Sequence, residues 1–258
     1  MTAITNAPAG IKYLDMQAYV GITKHIGGRE ATDELLTLCH IENAHEVLNV
    51  GCGIGISCAY IAKKHGCRVV GVDISEKMIE WSQKRAHEER VVDKVEFRVA
   101  DIHDLPFEAD RFDAVIVESV VAFVDDKAQA VRECVRVTKP DGYVGLNESF
   151  FTEAPTLEVS EMVRRELSVD LPMLETWQTL WEASGLQDRV VRIHQIDARQ
   201  EIRGRLQWIG ARWALKAFGR LLRLYLTQST ARQSLKAQFG SSAGSLNTMR
   251  YGIFVGRK

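Results

Sequence analysis

Three glycines, at 51, 53 and 55, and two acids, at 73 and 101, are the residues of this 258-residue chain whose spacing points most directly to chemistry. The stretch VLNVGCGIG, residues 47–55, runs an apolar segment straight into Gly51, Gly53 and Gly55. Glycines so placed permit a tight turn and let backbone approach a ligand closely. Asp73 ends the next apolar run, 22 residues after Gly51, where a carboxylate accepts hydrogen bonds from both hydroxyls of a ribose. That acid identifies a ribose and not a particular cofactor, because a dinucleotide enzyme uses one too. The dinucleotide spacing G-x-G-x-x-G, however, would place its third glycine at 56, which is Ile56. Met78, one turn into the helix after Asp73, is placed to pack on an adenine, and Asn49, Cys52 and Ile74 adjoin the same positions.

Candidate catalytic groups are Glu118, Glu148 and His25. Each glutamate stands at the carboxyl end of an apolar run, the fourth and the fifth, and so at the edge where such a sheet binds ligands. Their expected work is that of a base, or of an anion facing a cationic acceptor. The plainer alternative has Glu118 touching only the cofactor and Glu148 capping the next segment. His25, just before Gly27–Gly28, reaches toward an acceptor from the N-terminal part of the chain, as do Tyr13 and Tyr19. Phe150, Trp208 and Trp213 complete the expected acceptor pocket. No metal site is expected: the cysteines at 39, 52, 58, 67 and 134 form no C-x-x-C pair and read as reduced core thiols.

The elements that must carry these residues follow from the apolar periodicity. Runs at Glu46–Val50, Arg68–Val72, Val95–Val99, Ala114–Glu118 and Gly142–Asn147 alternate with helical patterns near Ile56–His65, Ser75–Glu89 and Lys127–Val137. Their near-continuous Val and Ile content suits parallel strands buried on both faces. A helix around Leu174–Ser184 and strands around Arg189–Ile196 and Arg250–Val255 complete the set. The expected fold is a doubly wound, mostly parallel, seven-stranded α/β sheet forming a single domain over 1–258. Residues 46–197 and 245–258 make the core, 1–45 a helical N-terminal extension with a helix at Ala31–His40, and 198–244 a basic helical insert before the last strand.

Further along the chain stand VEFRVADIHDLPF, with Asp101 and Ile102, then RFDAVIVES and ECVRVTKPDGYVGLNES. With VLNVGCGIG these segments, in order over about residues 45–150, resemble the motifs of class I (Rossmann-like) S-adenosylmethionine-dependent methyltransferases. Among these, the ubiquinone- and menaquinone-biosynthesis type and related small-molecule enzymes are the most similar. The resemblance implies S-adenosyl-L-methionine as cofactor and Asp101 as acceptor for the adenine amino group, with Ile102 against the ring. It also implies that the helix before the glycine loop folds over the cofactor. Two positions depart from the pattern: Asn49 replaces the usual acid before the first glycine, and Asp141 the first glycine of a Pro-Gly-Gly turn. The implied activity is methyl transfer to a small, mostly apolar or lipid-like acceptor. A nicotinamide oxidoreductase, a non-catalytic cofactor-binding protein and a nucleic-acid methyltransferase stand as alternatives.

Composition bounds the rest. The hydrophobic fraction of 46% suffices for a large core, and no run reaches the roughly 20 apolar residues of a membrane span. The opening MTAITNAPAGIKYLD lacks the charged and apolar regions of a signal peptide, so the expected location is cytoplasmic. The net charge of −1 conceals an asymmetry, because residues 199–258 hold 12 Lys and Arg against the single acid Glu201. Arg212, Lys216, Arg220 and Arg223 fall on one helical face, opposite Ala214, Phe218, Leu221, Leu222 and Tyr225, and upstream Ile202, Leu206, Ile209 and Trp213 make a second apolar stripe. Two readings follow: a lid with its apolar face inward and its basic face solvated, or a peripheral membrane contact through 198–232. No nucleic-acid partner is expected, as no base-reading module is visible.

Overall fold

The computed structural model describes residues 13–23, 25–167, 169–197, 201, 204, 208–227 and 249–258; for 13, 14 and 165–167 it describes the backbone alone. Seven strands form one sheet: β1 Glu46–Val50, β2 Arg68–Asp73, β3 Val95–Val99, β4 Phe112–Glu118, β5 Thr138–Phe151, β6 Gln187–Gln195 and β7 Met249–Arg257. Their spatial order is β3-β2-β1-β4-β5-β7-β6. The pairs among β1 to β5 are parallel, and β7 runs antiparallel to both β5 and β6. β6 therefore shares the direction of the first five, and the chain leaves it at the ligand edge.

Period-two alternation distributes the strand side chains between two cores. Val47, Ala114 and Ile116 pack with Leu35, Leu36, Ile61 and Ile79 on one face of the sheet. Leu48, Val50, Val115 and Val117 pack with Val131, Cys134 and Trp177 on the other. The first face carries α2 (Gly28–Leu38), α3 (Ile56–His65) and α4 (Glu76–Glu89); the second carries α5 (Lys127–Val137) and α7 (Leu174–Glu182). Local chemistry sets the helix starts. Ser75 caps α4 by accepting the Met78 N–H at 3.3 Å, and Asp126 caps α5 by accepting that of Gln129 at 2.8 Å. Helix α2 begins three residues earlier than expected, because Gly27 takes a left-handed turn (φ 82°) immediately before it. β5 is longer than expected at both ends, since Thr138 already pairs with Phe112 of β4 and Glu148–Phe151 continue to pair with Met249–Gly252 of β7. The five cysteines are free and buried, as expected of core thiols.

Three helices lie outside this frame: α1 (Tyr13–Val20), α6 (Leu157–Leu167) and α8 (Ala211–Thr227), the last in the insert. Helix α8 packs on α1 through Ala217, Leu224, Met16 and Val20. This corrects the lid expectation in part: Ala214 and Leu221 of the expected apolar face pack inward and Arg212 and Arg223 stay exposed, but the other expected members exchange sides. Lys216 pairs with Glu88 of α4 at 2.8 Å, and Arg220 donates to the Val20 carbonyl at 2.6 Å. Phe218, Leu222 and Tyr225 face outward. The reason is local: the last carbonyls of α1 lack intrahelical donors, and the insert's N–H groups satisfy them. Ile202 and Leu206, expected in a second apolar stripe, lie outside the described residues.

Candidate active site

Strand order reverses between β1 and β4, and there a cavity of about 600 Å³ opens at the carboxyl ends of the strands. Its floor is the glycine loop. Gly51, Gly53 and Gly55 hold φ of 68°, 54° and 74°, a region that strains any residue with a Cβ. A Cβ would also collide with Val120 at Gly51 and with Thr23 at Gly53. Gly55 itself turns away from the cavity and starts α3 against Ser82.

Asp73 ties this loop down. Its Oδ2 accepts the Gly53 N–H at 2.9 Å and its Oδ1 that of Ser75 at 3.0 Å. Burial raises the carboxyl above the usual aspartate range, and the two backbone donors act against that rise. Asp101, at the end of β3, is oriented by His103, whose backbone N–H and ring Nδ1 lie at 2.9 and 2.8 Å from Oδ1. The backbone hydrogen bond leads in holding Asp101 below the ordinary range. Ile74, Met78 and Ile102 add apolar wall beside these acids, and Cys52 lines the loop. A glycine cradle, one carboxylate ready for a ribose, another at the far wall and apolar side chains between them fit a nucleoside.

Glu118 occupies the inner end. Thr32 Oγ1 donates to its Oε1 at 2.6 Å, and Ser57 Oγ to its Oε2 at 2.7 Å. His25 Nε2 lies 3.7 Å from Oε1 and 3.1 Å from both Thr32 Oγ1 and the Gly28 carbonyl. With Nε2–H donating to that carbonyl, Nδ1 carries the lone pair. Asn49, next to Glu118, is buried with its side chain engaged: Nδ2 donates to the Ile116 carbonyl at 3.3 Å, and Oδ1 accepts from Cys58. Glu118 thus brings an anionic group to the cavity that Asn49, in place of the pattern's usual acid, does not.

The other expected site residues are placed elsewhere. Glu148 is fully buried and does not line the cavity; it accepts the N–H groups of Val120, Val121 and Ala122 at 2.8, 2.7 and 3.2 Å. It therefore positions the turn that covers Gly51, as the capping alternative had it. Burial pushes its carboxyl up to about 7 against those three donors. The folded protein then holds a proton that the unfolded chain releases near pH 4.5. Stability accordingly falls as pH rises from about 4.5 to about 7 and is level beyond. Urea titrations across this range should show that fall, and Glu148→Gln should abolish it. Glu148→Ala, which leaves three buried N–H groups without an acceptor, should cost about 3 kcal/mol or more at every pH.

Phe150 packs on Phe254 in the core, at 6.2 Å between ring centres, because β5 extends beyond its expected end. Trp213 is buried with Nε1 donating to the Gly21 carbonyl at 2.6 Å, beneath the Arg85 guanidinium. Tyr19 packs in the contact between α1 and α8. Trp208 stands 6.1 Å from His25, edge to face, and lines a smaller cavity of about 170 Å³ with Gly27, Glu201 and Tyr251. The Tyr13 side chain lies outside the described residues. Sequence reasoning missed Asp15, Gln17 and Ala18 of α1, and Thr23, Ser57 and Ser119. Only Ser57 left a signal, as the hydroxyl two residues past the glycine loop. No group of three or more metal-ligating side chains exists among the described residues.

A model of the methyltransferase domain matches residues 48–146. The chain is 28% identical over 163 residues to Methyltransferase GfsG of Streptomyces halstedii, covering 62% of this chain and 59% of that one. It is 28% identical over 164 residues to phosphoethanolamine N-methyltransferase of Triticum aestivum, covering 64% of this chain and 32% of that one. The chain thus spans less than two-thirds of the length of these curated relatives. Its fold is similar to that of a S-adenosylmethionine-dependent methyltransferase from Thiobacillus denitrificans solved with S-adenosylhomocysteine. There the TM-score is 0.67 at 19% identity, over 95% of this chain and 98% of that one.

Proposed function

We propose that this chain, which carries a class I S-adenosylmethionine-dependent methyltransferase domain on the corresponding Rossmann-like fold, transfers a methyl group to a small, mostly apolar or lipid-like acceptor. One observation carries the reading: the glycine cradle, Asp73, Asp101 and Glu118 converge on a single cavity at the point where strand order reverses. S-adenosyl-L-methionine, bound there, supplies a methyl already activated by its sulfonium, leaving S-adenosylhomocysteine.

What remains for the protein is binding, orientation and exclusion of water. The loop at Gly51 and Gly53 admits the cofactor's backbone-facing edge, and Asp73 accepts from the ribose hydroxyls. Asp101 accepts from the adenine amino group, with Met78 and Ile102 against the ring. Glu118 supplies the negative charge that Asn49 lacks for the cationic amino-acid arm. His25, oriented by Thr32 and the Gly28 carbonyl, takes the acceptor's proton where the acceptor must lose one. Asp15, Gln17 and Ala18 of α1 roof the cavity against solvent.

The acceptor class rests on the apolar lining at Val120, Phe123 and Val124, with Ala18 above. A phosphorylated amine, as in the name of the wheat relative, would want cations there, and among the described residues the cavity lining contains no Lys or Arg. Two of the insert's four regularly spaced basic side chains are engaged inward, which weighs against a surface that tracks a nucleic-acid backbone. No described helix is long and apolar enough to cross a membrane.

Calorimetric titration with S-adenosylhomocysteine, in parallel with NADH and NADPH, tests the reading. Micromolar binding of S-adenosylhomocysteine alone is expected. Binding of a nicotinamide cofactor in its place would overturn it.

A further inference from the structure

The four basic residues spaced along α8 divide into two pairs, and the division decides what the helix presents. At 100° per residue, Lys216 and Arg220 fall beside Trp213, Ala217 and Leu224, the buried face. Arg220 Nε donates to the Val20 carbonyl and Trp213 Nε1 to the Gly21 carbonyl, both at 2.6 Å. The Arg220 guanidinium also lies 4.4 Å over the Trp81 ring, and Lys216 pairs with Glu88. These contacts fix the rotation of α8 about its axis. The consequence is an outward stripe made of Leu215, Phe218, Leu222, Tyr225 and Leu226, exposed by 72, 61, 46, 37 and 65%. Arg212 and Arg223, both exposed, run along one flank of that stripe.

We propose that this face of α8 docks on an anionic lipid surface, with the apolar stripe in the boundary between headgroups and acyl chains. The arginines on its flank would then lie among lipid phosphates. Charge selects this occupant. Residues 202–258 contain 11 Lys and Arg and no acid, so the segment that carries the stripe offers no anion of its own, and Glu88 of α4 is taken up by Lys216 on the inner side. A second copy of the chain on a two-fold axis would set the same arginines against their own kind. An anionic bilayer provides both the apolar depth and the counter-charge. The 17-residue helix, about 25 Å long, would lie flat on the surface. Its inner face rests on α1, which contributes Asp15, Gln17 and Ala18 to the roof of the main cavity. Docking would therefore bring that roof to the interface; the docking itself stands independently of what the cavity does.

The test is sedimentation of the full chain with vesicles of phosphatidylcholine alone and with about one-third phosphatidylglycerol. The protein should pellet with the anionic vesicles only, and less so in high salt. Phe218→Ser with Leu222→Ser should lower the vesicle affinity more than about tenfold, and Arg212→Glu with Arg223→Glu several-fold. All four residues are exposed and outside the cavity lining, so S-adenosylhomocysteine binding, measured on the same samples, should be unchanged and reports the folded site separately. Failure to pellet with anionic vesicles overturns the proposal. So does pelleting that the Phe218 and Leu222 substitutions leave intact. A dimer that those substitutions dissociate, in a protein that ignores vesicles, would assign the face to a second copy instead.

Discussion

Glu118→Gln is expected to weaken binding of S-adenosylhomocysteine by about 100-fold while leaving the fold intact. The size follows from electrostatics: a charge pair in close contact at the partly screened edge of a protein is worth up to about 4 kcal/mol, of which solvent at the cavity mouth leaves about 3. The intact fold follows from the partners. Thr32 Oγ1 and Ser57 Oγ donate to the carboxylate, and hydroxyls rotate freely between donating and accepting. A glutamine of the same shape can therefore keep both bonds, and thermal stability should change by no more than about 1 kcal/mol. A ligand without the amino-acid arm discriminates the role. 5′-Methylthioadenosine shares the adenine, the ribose and a neutral sulfur with S-adenosylhomocysteine but carries no ammonium. Its affinity should be the same in Glu118→Gln as in the parent protein. Equal losses for both ligands would mean that Glu118 acts only as a cross-link between β4, α2 and α3. His25 enters the same experiment through Thr32, since both contact Glu118, His25 from just before α2 and Thr32 from within it.

This arrangement also shows where the sequence was readable. β1 lies at its expected bounds because a strand buried on both faces leaves an apolar run with sharp ends; β3 does so too, although it is a half-exposed edge strand. The glycine loop, Asp73 and Asp101 were legible because each ends such a run, and in a parallel sheet the ends of runs share one edge. Glu118 and Glu148 illustrate the limit. Both were expected to end central strands and both are buried, yet Glu118 ends β4 and faces the cavity, whereas Glu148 lies within the longer β5 and faces three backbone N–H groups. No spacing distinguishes them; the choice is made by the turn at Ser119, held at a positive φ of 57°. Thr23 and Thr32 were invisible for a different reason. They come from the N-terminal extension, whose path over the glycine loop is set by tertiary contacts between α1 and α8. The insert's orientation was misread in part because periodicity finds faces but not where the inward one is centred. The open carbonyls of Val20 and Gly21 decide that, and they are a property of another helix.

Asp73→Asn should cost about 100-fold in affinity for S-adenosylhomocysteine and for 5′-methylthioadenosine alike. Both ligands present the same ribose, so a residue that serves the ribose cannot tell them apart. Two losses combine. The amide offers one acceptor oxygen where the carboxylate offers two, and Gly53 and Ser75 each donate an N–H to a different oxygen. Whichever way the amide turns, its NH2 group meets one of those donors, so the glycine loop loosens as the ribose contact weakens. Stability should nevertheless move little. Burial raises the Asp73 carboxyl, so the folded protein binds its proton more tightly than the unfolded chain does. This group's contribution to stability is then full below the ordinary aspartate value and is lost as pH rises through the raised one. At neutral pH the native state holds an anion that burial disfavours, and asparagine relieves that cost while breaking one hydrogen bond. The pH dependence supplies an independent check. In the parent protein, ligand affinity should fall on the acid side as Asp73 takes up its proton, at a pH above the usual aspartate range. In Asp73→Asn that limb should be absent, with the residual affinity flat across it. An acid limb unchanged in the variant would assign the titration to another group and remove Asp73 from the ribose site.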